Sequence, residues 1–313
     1  MNMQNGKLMM AFDCFKTDAS LKNAVASATA FSKAIGWNAG AVSVISPDEL
    51  NWPRDFTKSW RREFEKLGSA ALTSLLKKNQ TKKSFPSKIL MQPYLSRKES
   101  VRSIVSEAKS KKVSAIAVFT HVHKKRFGFP GSFVTSLIYK SSVPILVFNT
   151  KGPVLESVQT IMVATDFSQA SAKTFRKSIE LASKLKAKIF LVHVRPAYIN
   201  ETMAASAGVA GGWGNVAAYL DDEERGTRAR AKNWVKKATK EGVEATFEFV
   251  TSSSSIYGAL LKYAAQCRAD LIVVTQKTGR WASVVLGSVT RDILANALHP
   301  VLVMPTRSTQ VKH

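Results

Sequence analysis

The 313-residue chain has only two cysteines, Cys14 and Cys267, far apart and in no CxxC or metal-ligand spacing. A disulfide framework and a cysteine-based metal site are excluded, and this usage suits a reducing compartment. No uninterrupted apolar stretch approaches the ~20 residues a membrane helix needs. No charged leader followed by an apolar run and a cleavage site is present. These absences predict a cytoplasmic protein with no membrane association. Carboxylates are scarce too: 22 Asp and Glu stand against 46 Lys and Arg, a net charge of +24. Before Gly152 there are 25 basic residues against 9 acidic ones, and after it 21 against 13. Such an excess raises RNA, DNA or an anionic surface as partners. The basic residues are scattered along helices, however, with no recognisable nucleic-acid motif. A solvated basic surface without a specific nucleic-acid partner is expected.

What the chain does contain is a repeat of itself. LMMAFDCF begins at Leu8 and IMVATDFS at Ile161; each is an apolar strand ending in an aspartate, Asp13 and Asp166, 153 positions apart. Gly131-Ser132 recurs as Gly287-Ser288 and Pro144 as Pro300, both at an offset of 156. Four features in one order at nearly constant offset mark a tandem duplication, with the joint near residues 150–158. The predicted domains are 1–150 and 158–306.

Each copy alternates strand and helix. In the second, strands are predicted near 161–164, 188–194, 244–250, 270–276 and 301–304. Ala172, Phe175, Ile179 and Ala182 form one helical face, and a charged helix over 217–241 ends at Gly242. The first copy repeats this order, with strands near 8–12, 40–45, 88–92, 114–119 and 145–148. Strands separated by helices imply parallel pairing through right-handed crossovers. Runs such as IAVF and LIVV suit strands covered on both faces. The expected fold is therefore α/β, two tandem doubly wound five-stranded parallel-sheet domains.

Ligands of such sheets bind beyond the carboxyl ends of the strands. Asp166 and the loop after the fourth strand both project there. Gly287 offers a backbone conformation closed to other residues and lets a ligand approach the chain. Ser288 offers a hydroxyl cap, and the first N–H groups of its helix favour an anion such as phosphate.

The ensemble resembles the universal stress protein family, in IMVATDFSQAS, FLVHV and above all DLIVVTQKTGRWASVVLGSVTRDILANALHPVLVMP. The resemblance extends over both copies. It implies a stress-associated regulator, and an ATP site built from an Asp ending strand one, a residue near the end of strand two, and a Gly-x2-Gly-x9-Gly-[Ser/Thr] loop. By position these are Asp166, Val194, Gly279, Gly287 and Ser288, with Val289 in the same helical turn; a divalent metal could accompany the nucleotide. In the first copy only Asp13, Gly131 and Ser132 match. The second-copy loop departs from the pattern: Ala282 stands where the middle glycine falls, and Gly279 precedes Gly287 by 8 positions rather than 13. The resemblance also implies association through the last strands, Ile145–Phe148 and Val301–Met304, as an internal pseudo-dimer. Further self-association and an unidentified protein partner are open. The rivals are an ATP-hydrolysing or adenylate-forming enzyme, and a basic nucleic-acid scaffold with vestigial sites; no nucleophile–His–acid set supports catalysis.

Other groups read more simply. His121-Val122-His123 lacks a third ligand and is followed by Lys124-Lys125-Arg126, which repels a cation and could meet phosphate. Asp221-Asp222-Glu223-Glu224 is explained by a helix N-terminal end. Residues 204–215, with Trp213, form either a lid or a connector. TSSSS at 251–255 caps the next helix, and His193 is a packed strand residue.

Overall fold

The computed structural model describes residues 5–14, 18–45, 58–78, 85, 87–92, 96–120, 132–197, 213–253, 255–276 and 286–306. In chain order the first copy holds β1 (Lys7–Ala11), α1 (Ala19–Ala34), β2 (Asn38–Ile45), α2 (Lys58–Lys78), β3 (Lys88–Met91), α3 (Arg97–Ser110), β4 (Ala115–Thr120), α4 (Ser132–Lys140) and β5 (Ile145–Asn149). The second holds β6 (Thr160–Ala164), α5 (Gln169–Leu185), β7 (Lys188–Pro196), α6 (Trp213–Lys240), β8 (Ala245–Ser252), α7 (Ile256–Gln266), β9 (Leu271–Thr275), α8 (Ser288–Asn296) and β10 (Val301–Met304). This is the α/β alternation expected of a duplicated doubly wound fold.

By compactness the chain forms two units. One takes the described residues of 1–158 together with those of 276–313; the other is 159–275. In the first unit the strand order is β3-β2-β1-β4-β5-β10. Pairing is parallel from β3 to β5, and β10 joins antiparallel in the register Val301↔Val147, Leu302↔Leu146, Val303↔Ile145. The last strands of the two copies therefore pair as expected. Leu146 and Leu302 are almost wholly buried at this seam, and each such side chain contributes about 1.5–3 kcal/mol by leaving water.

In the second unit the order is β9-β6-β7-β8, all parallel. Read from the outside as β8-β7-β6-β9, it reproduces β3-β2-β1-β4. Leu8, Met9, Met10, Ile161 and Met162 are all at 0% exposure, as continuous apolar strands covered on both faces require. Several helices start on side-chain oxygens. Asp18 accepts from the Leu21 N–H at 2.7 Å, and Ser255 accepts from the Gly258 N–H at 3.2 Å, so TSSSS does cap α7. Gly242 closes α6 at a φ of +76°, the left-handed C-terminal conformation that glycine takes without strain. Among the described residues no helix is long and apolar enough to cross a membrane.

Candidate functional site

Within the second unit, β7 outruns its neighbour. The last β6–β7 pair is Ala164↔Val192, and the Thr165 N–H then donates to the Val192 carbonyl at 2.9 Å. From His193 to Pro196 the strand remains paired to β8 on its other side. Successive residues of a strand direct their amides to alternate sides. Ile189 donates to Glu244, toward β8, and Val192 accepts from the β6 side. Val194, two residues further, therefore aims its N–H and C=O past the end of β6. Val194 itself is only 8% exposed, so the backbone pair is what lies open at this edge.

Asp166 lies at the same edge and is exposed. Its Oδ1 accepts from the Ser168 N–H at 3.0 Å and from the Ser171 hydroxyl at 2.6 Å. Ser168 in turn caps α5, accepting from the Ser171 N–H at 3.2 Å. The turn also contains a feature that sequence reading did not single out: Phe167 has a φ of +55°, a left-handed conformation costing a non-glycine residue about 1–2 kcal/mol. Its ring offsets that cost by packing 5.6 Å from His193, 5.0 Å from Trp234 and 5.8 Å from Phe247, between centroids. The Arg230 guanidinium lies 5.6 Å from the same ring. His193 Nδ1 is 2.9 Å from the Thr165 carbonyl; the residue is the packed strand histidine expected of it, with the added task of holding the turn.

Gly287, Ser288 and Val289 belong to the first unit. Two expectations are corrected here. Gly287 is the N-cap of α8 with φ −52° and ψ 140°, a conformation open to any residue, so the position does not demand glycine for its backbone. Ser288 is already the first helical residue, one place too late for its hydroxyl to cap, and α8 has no side-chain cap bond. The start of α8 thus carries no cap from its own side chains and no acid in its first turn, with Ser288 exposed. That combination favours an anion. Gly279, Ala282 and the loop joining them to β9 lie outside the described residues, as do Gly131, His121 to Arg126 and residues 204–212.

The first unit also holds a cavity of about 560 Å³ at the carboxyl ends of β1, β2 and β4. It is bordered by Asp13, Val44, Phe119 and Phe133, with Arg97 and Ser100 from the first turn of α3. The backbone here repeats the second copy: the Phe12 N–H donates to the Val42 carbonyl at 3.2 Å, as Thr165 does to Val192, and Val44 stands where Val194 stands. Arg97 makes no ion pair among the described residues. Sequence reading identified Asp13 but not Val44 or Arg97, which β1, β2 and α3 bring together.

The acidic run of α6 is also corrected. The helix begins at Trp213, so residues 221–224 lie more than two turns inside it and outside the reach of the macrodipole. Two of them pair with arginines instead: Glu224 with Arg195 at 3.2 Å and with Arg228 at 2.8 Å, and Asp222 with Arg225 at 3.9 Å. The Arg195 and Arg228 guanidiniums also lie over Phe249, at 4.9 and 5.2 Å. Among the described residues no cluster of three or more His, Cys, Asp or Glu could hold a metal ion.

Residues 157–305 match the model of the Universal stress protein family. A universal stress protein of Methanocaldococcus jannaschii is 29% identical over 147 residues, 46% of this chain and 80% of that protein. Among solved structures, a universal stress protein from Archaeoglobus fulgidus superposes with a TM-score of 0.68 at 17% identity, covering 97% of this chain and all of the other. A protein of unknown function from Pseudomonas aeruginosa gives 0.59 at 13% identity, covering 97% and 93%. At these identities the structural matches speak for the fold alone.

Proposed function

We propose that this chain, whose residues 157–305 match the model of the Universal stress protein family, is a cytoplasmic, stress-associated regulator that binds ATP through its second copy and acts by being occupied rather than by turnover. The observation that carries the reading is the placement of Val194. A donor and an acceptor on one backbone edge, pointed beyond β6, match the donor–acceptor edge of an adenine ring. Asp166, anchored by Ser168 and Ser171, supplies a carboxylate for a sugar hydroxyl or for a divalent ion brought with the nucleotide. Separately, in the first unit, the start of α8 offers anion-binding chemistry with no acid in its first turn. The signal is the occupied state itself, read by a protein partner or by a second copy of the chain.

The cavity beside Asp13 favours a second reading, in which the first copy holds a ligand of its own between aromatic walls, with Arg97 as its cation among the described residues. One experiment addresses both. Nucleotides released from the purified, denatured protein are identified by mass spectrometry, and labelled ATP is titrated against Gly287→Val and Gly131→Val. Loss of binding in Gly287→Val alone is the expected result. Loss in Gly131→Val alone would move the site to the first copy.

A further inference from the structure

We propose that Trp234 of α6 is a positioning residue for the Asp166 turn, holding the carboxylate in its ligand-ready direction before any ligand arrives. The proposal rests on Asp166 being part of the ATP site. It follows from how the turn is held. Asp166 is flanked by Thr165 and Phe167, and both neighbours are fixed. The Thr165 carbonyl is bound by His193 Nδ1 at 2.9 Å, and the Thr165 hydroxyl accepts the Phe167 N–H at 2.9 Å. Phe167 keeps its left-handed backbone only while its ring is enclosed. Trp234 makes the closest ring contact, edge to face at 5.0 Å, and it is itself stacked on Phe175 of α5 at 5.2 Å. The indole thus connects α5, α6 and the turn between β6 and α5.

Without the indole, the strained residue has a free route to an ordinary φ. That rotation swings the following amide, Ser168 N–H, away from Asp166 Oδ1, where it now donates at 3.0 Å. The carboxylate then loses a backbone donor and its fixed direction. Trp234 touches no ligand in this account; it acts through Phe167. Arg230, one helical turn before Trp234, covers the same ring, so α6 contributes two of the groups that enclose it.

The test uses the full chain. Amide hydrogen exchange is followed at residues 165–171 without nucleotide, and ATP affinity is measured separately. Trp234→Ala is expected to speed exchange at the Phe167 and Ser168 amides and to weaken ATP binding by about tenfold, whereas Trp234→Phe restores both to within about twofold. Phe167→Gly keeps the left-handed backbone accessible but removes the ring, and is expected to speed the same exchange even if Trp234→Ala fails to fold. Unchanged exchange at these two amides in a folded Trp234→Ala protein, or in Phe167→Gly, overturns the proposal. So does ATP binding by Trp234→Ala equal to that of the parent. If the parent binds no ATP while Trp234→Ala still loosens the turn, the ATP reading fails and the positioning role stands.

Discussion

Gly152 passes so close to the backbone carbonyl of Leu298 that no side chain fits between them: a Cβ on Gly152 would meet that oxygen well inside any normal contact. The approach is held by Asn149, whose Nδ2 donates to the Ala297 carbonyl at 2.9 Å and whose Oδ1 accepts the Lys151 N–H at 2.9 Å. The turn leaving the last strand of one copy is thereby locked to the segment entering the last strand of the other. Gly152→Ala is predicted to cost about 1–3 kcal/mol, the range for overpacking against a rigid neighbour. Gly226, inside α6, is the control because a Cβ there meets nothing within 4 Å; Gly226→Ala is predicted to stabilise by about 0.5–1 kcal/mol. Denaturant midpoints of the two variants should move in opposite directions.

Two serine caps separate stability from binding. Ser168 starts α5 and Ser255 starts α7, with cap bonds of the same length, 3.2 Å. Replacing either by alanine should cost about 1 kcal/mol. Only Ser168 is also within 3.1 Å of the Ser171 hydroxyl, the group that donates to Asp166. Ser168→Ala should therefore weaken ATP binding while Ser255→Ala leaves it unchanged, as measured by calorimetric titration of both. Equal affinities would detach the Ser171–Asp166 bond from the site.

The duplication and the alternation of strand and helix were legible because they rest on local signals. Asp13 and Asp166 each end an apolar strand, and Pro144 and Pro300 each precede the closing one. A 3.6-residue face or a buried run needs only near neighbours in the chain, and β8-β7-β6-β9 repeats β3-β2-β1-β4 because the crossovers leave few other options. What stayed hidden depends on distant partners. Phe167 is an ordinary aromatic in the sequence; its left-handed φ exists only because Trp234, His193 and Phe247 arrive around it. Val194 was named only through the resemblance; the direction of its backbone, which no side chain encodes, comes from how β7 is paired. The Gly287 conformation and the position of the acidic run within α6 turned on boundaries a few residues long, where capping and helix start are settled by packing.

Tyr263 sets an alkaline limit. Burial, and then the negative charge of Glu248, push its phenol up to about 12 from its ordinary 10.0. The folded state thus keeps the proton that the unfolded state releases. The contribution is complete below pH 10 and is lost as pH rises from 10 through about 12. Tyr263→Phe cannot titrate, so the stability difference between the parent and this variant should change across that window and stay constant below it. Urea midpoints measured every half unit from pH 8 to pH 12 test the sign. A difference that is flat across the window would show that the phenol titrates alike in both states.

The last prediction concerns turnover. Phosphoryl transfer needs charge arranged around the moving group and a residue that orients the attacking water. The second-copy residues named here supply one carboxylate, Asp166, already tied to Ser168 and Ser171 through Oδ1, together with backbone groups at Val194. Backbone donors and a single anchored carboxylate can hold a nucleotide and steady a divalent ion. They do not orient a water, and a carboxylate committed to two donors is a poor general base. ATP hydrolysis by the purified protein should therefore lie well below the ~1–1000 per second typical of enzymes. Phosphate release is followed in parallel for the parent and Asp166→Ala, which exposes a contaminating ATPase as activity common to both. Turnover above ~1 per second that disappears in Asp166→Ala would make this protein an enzyme, and would require a water-orienting group from a part of the chain not yet assigned to the site.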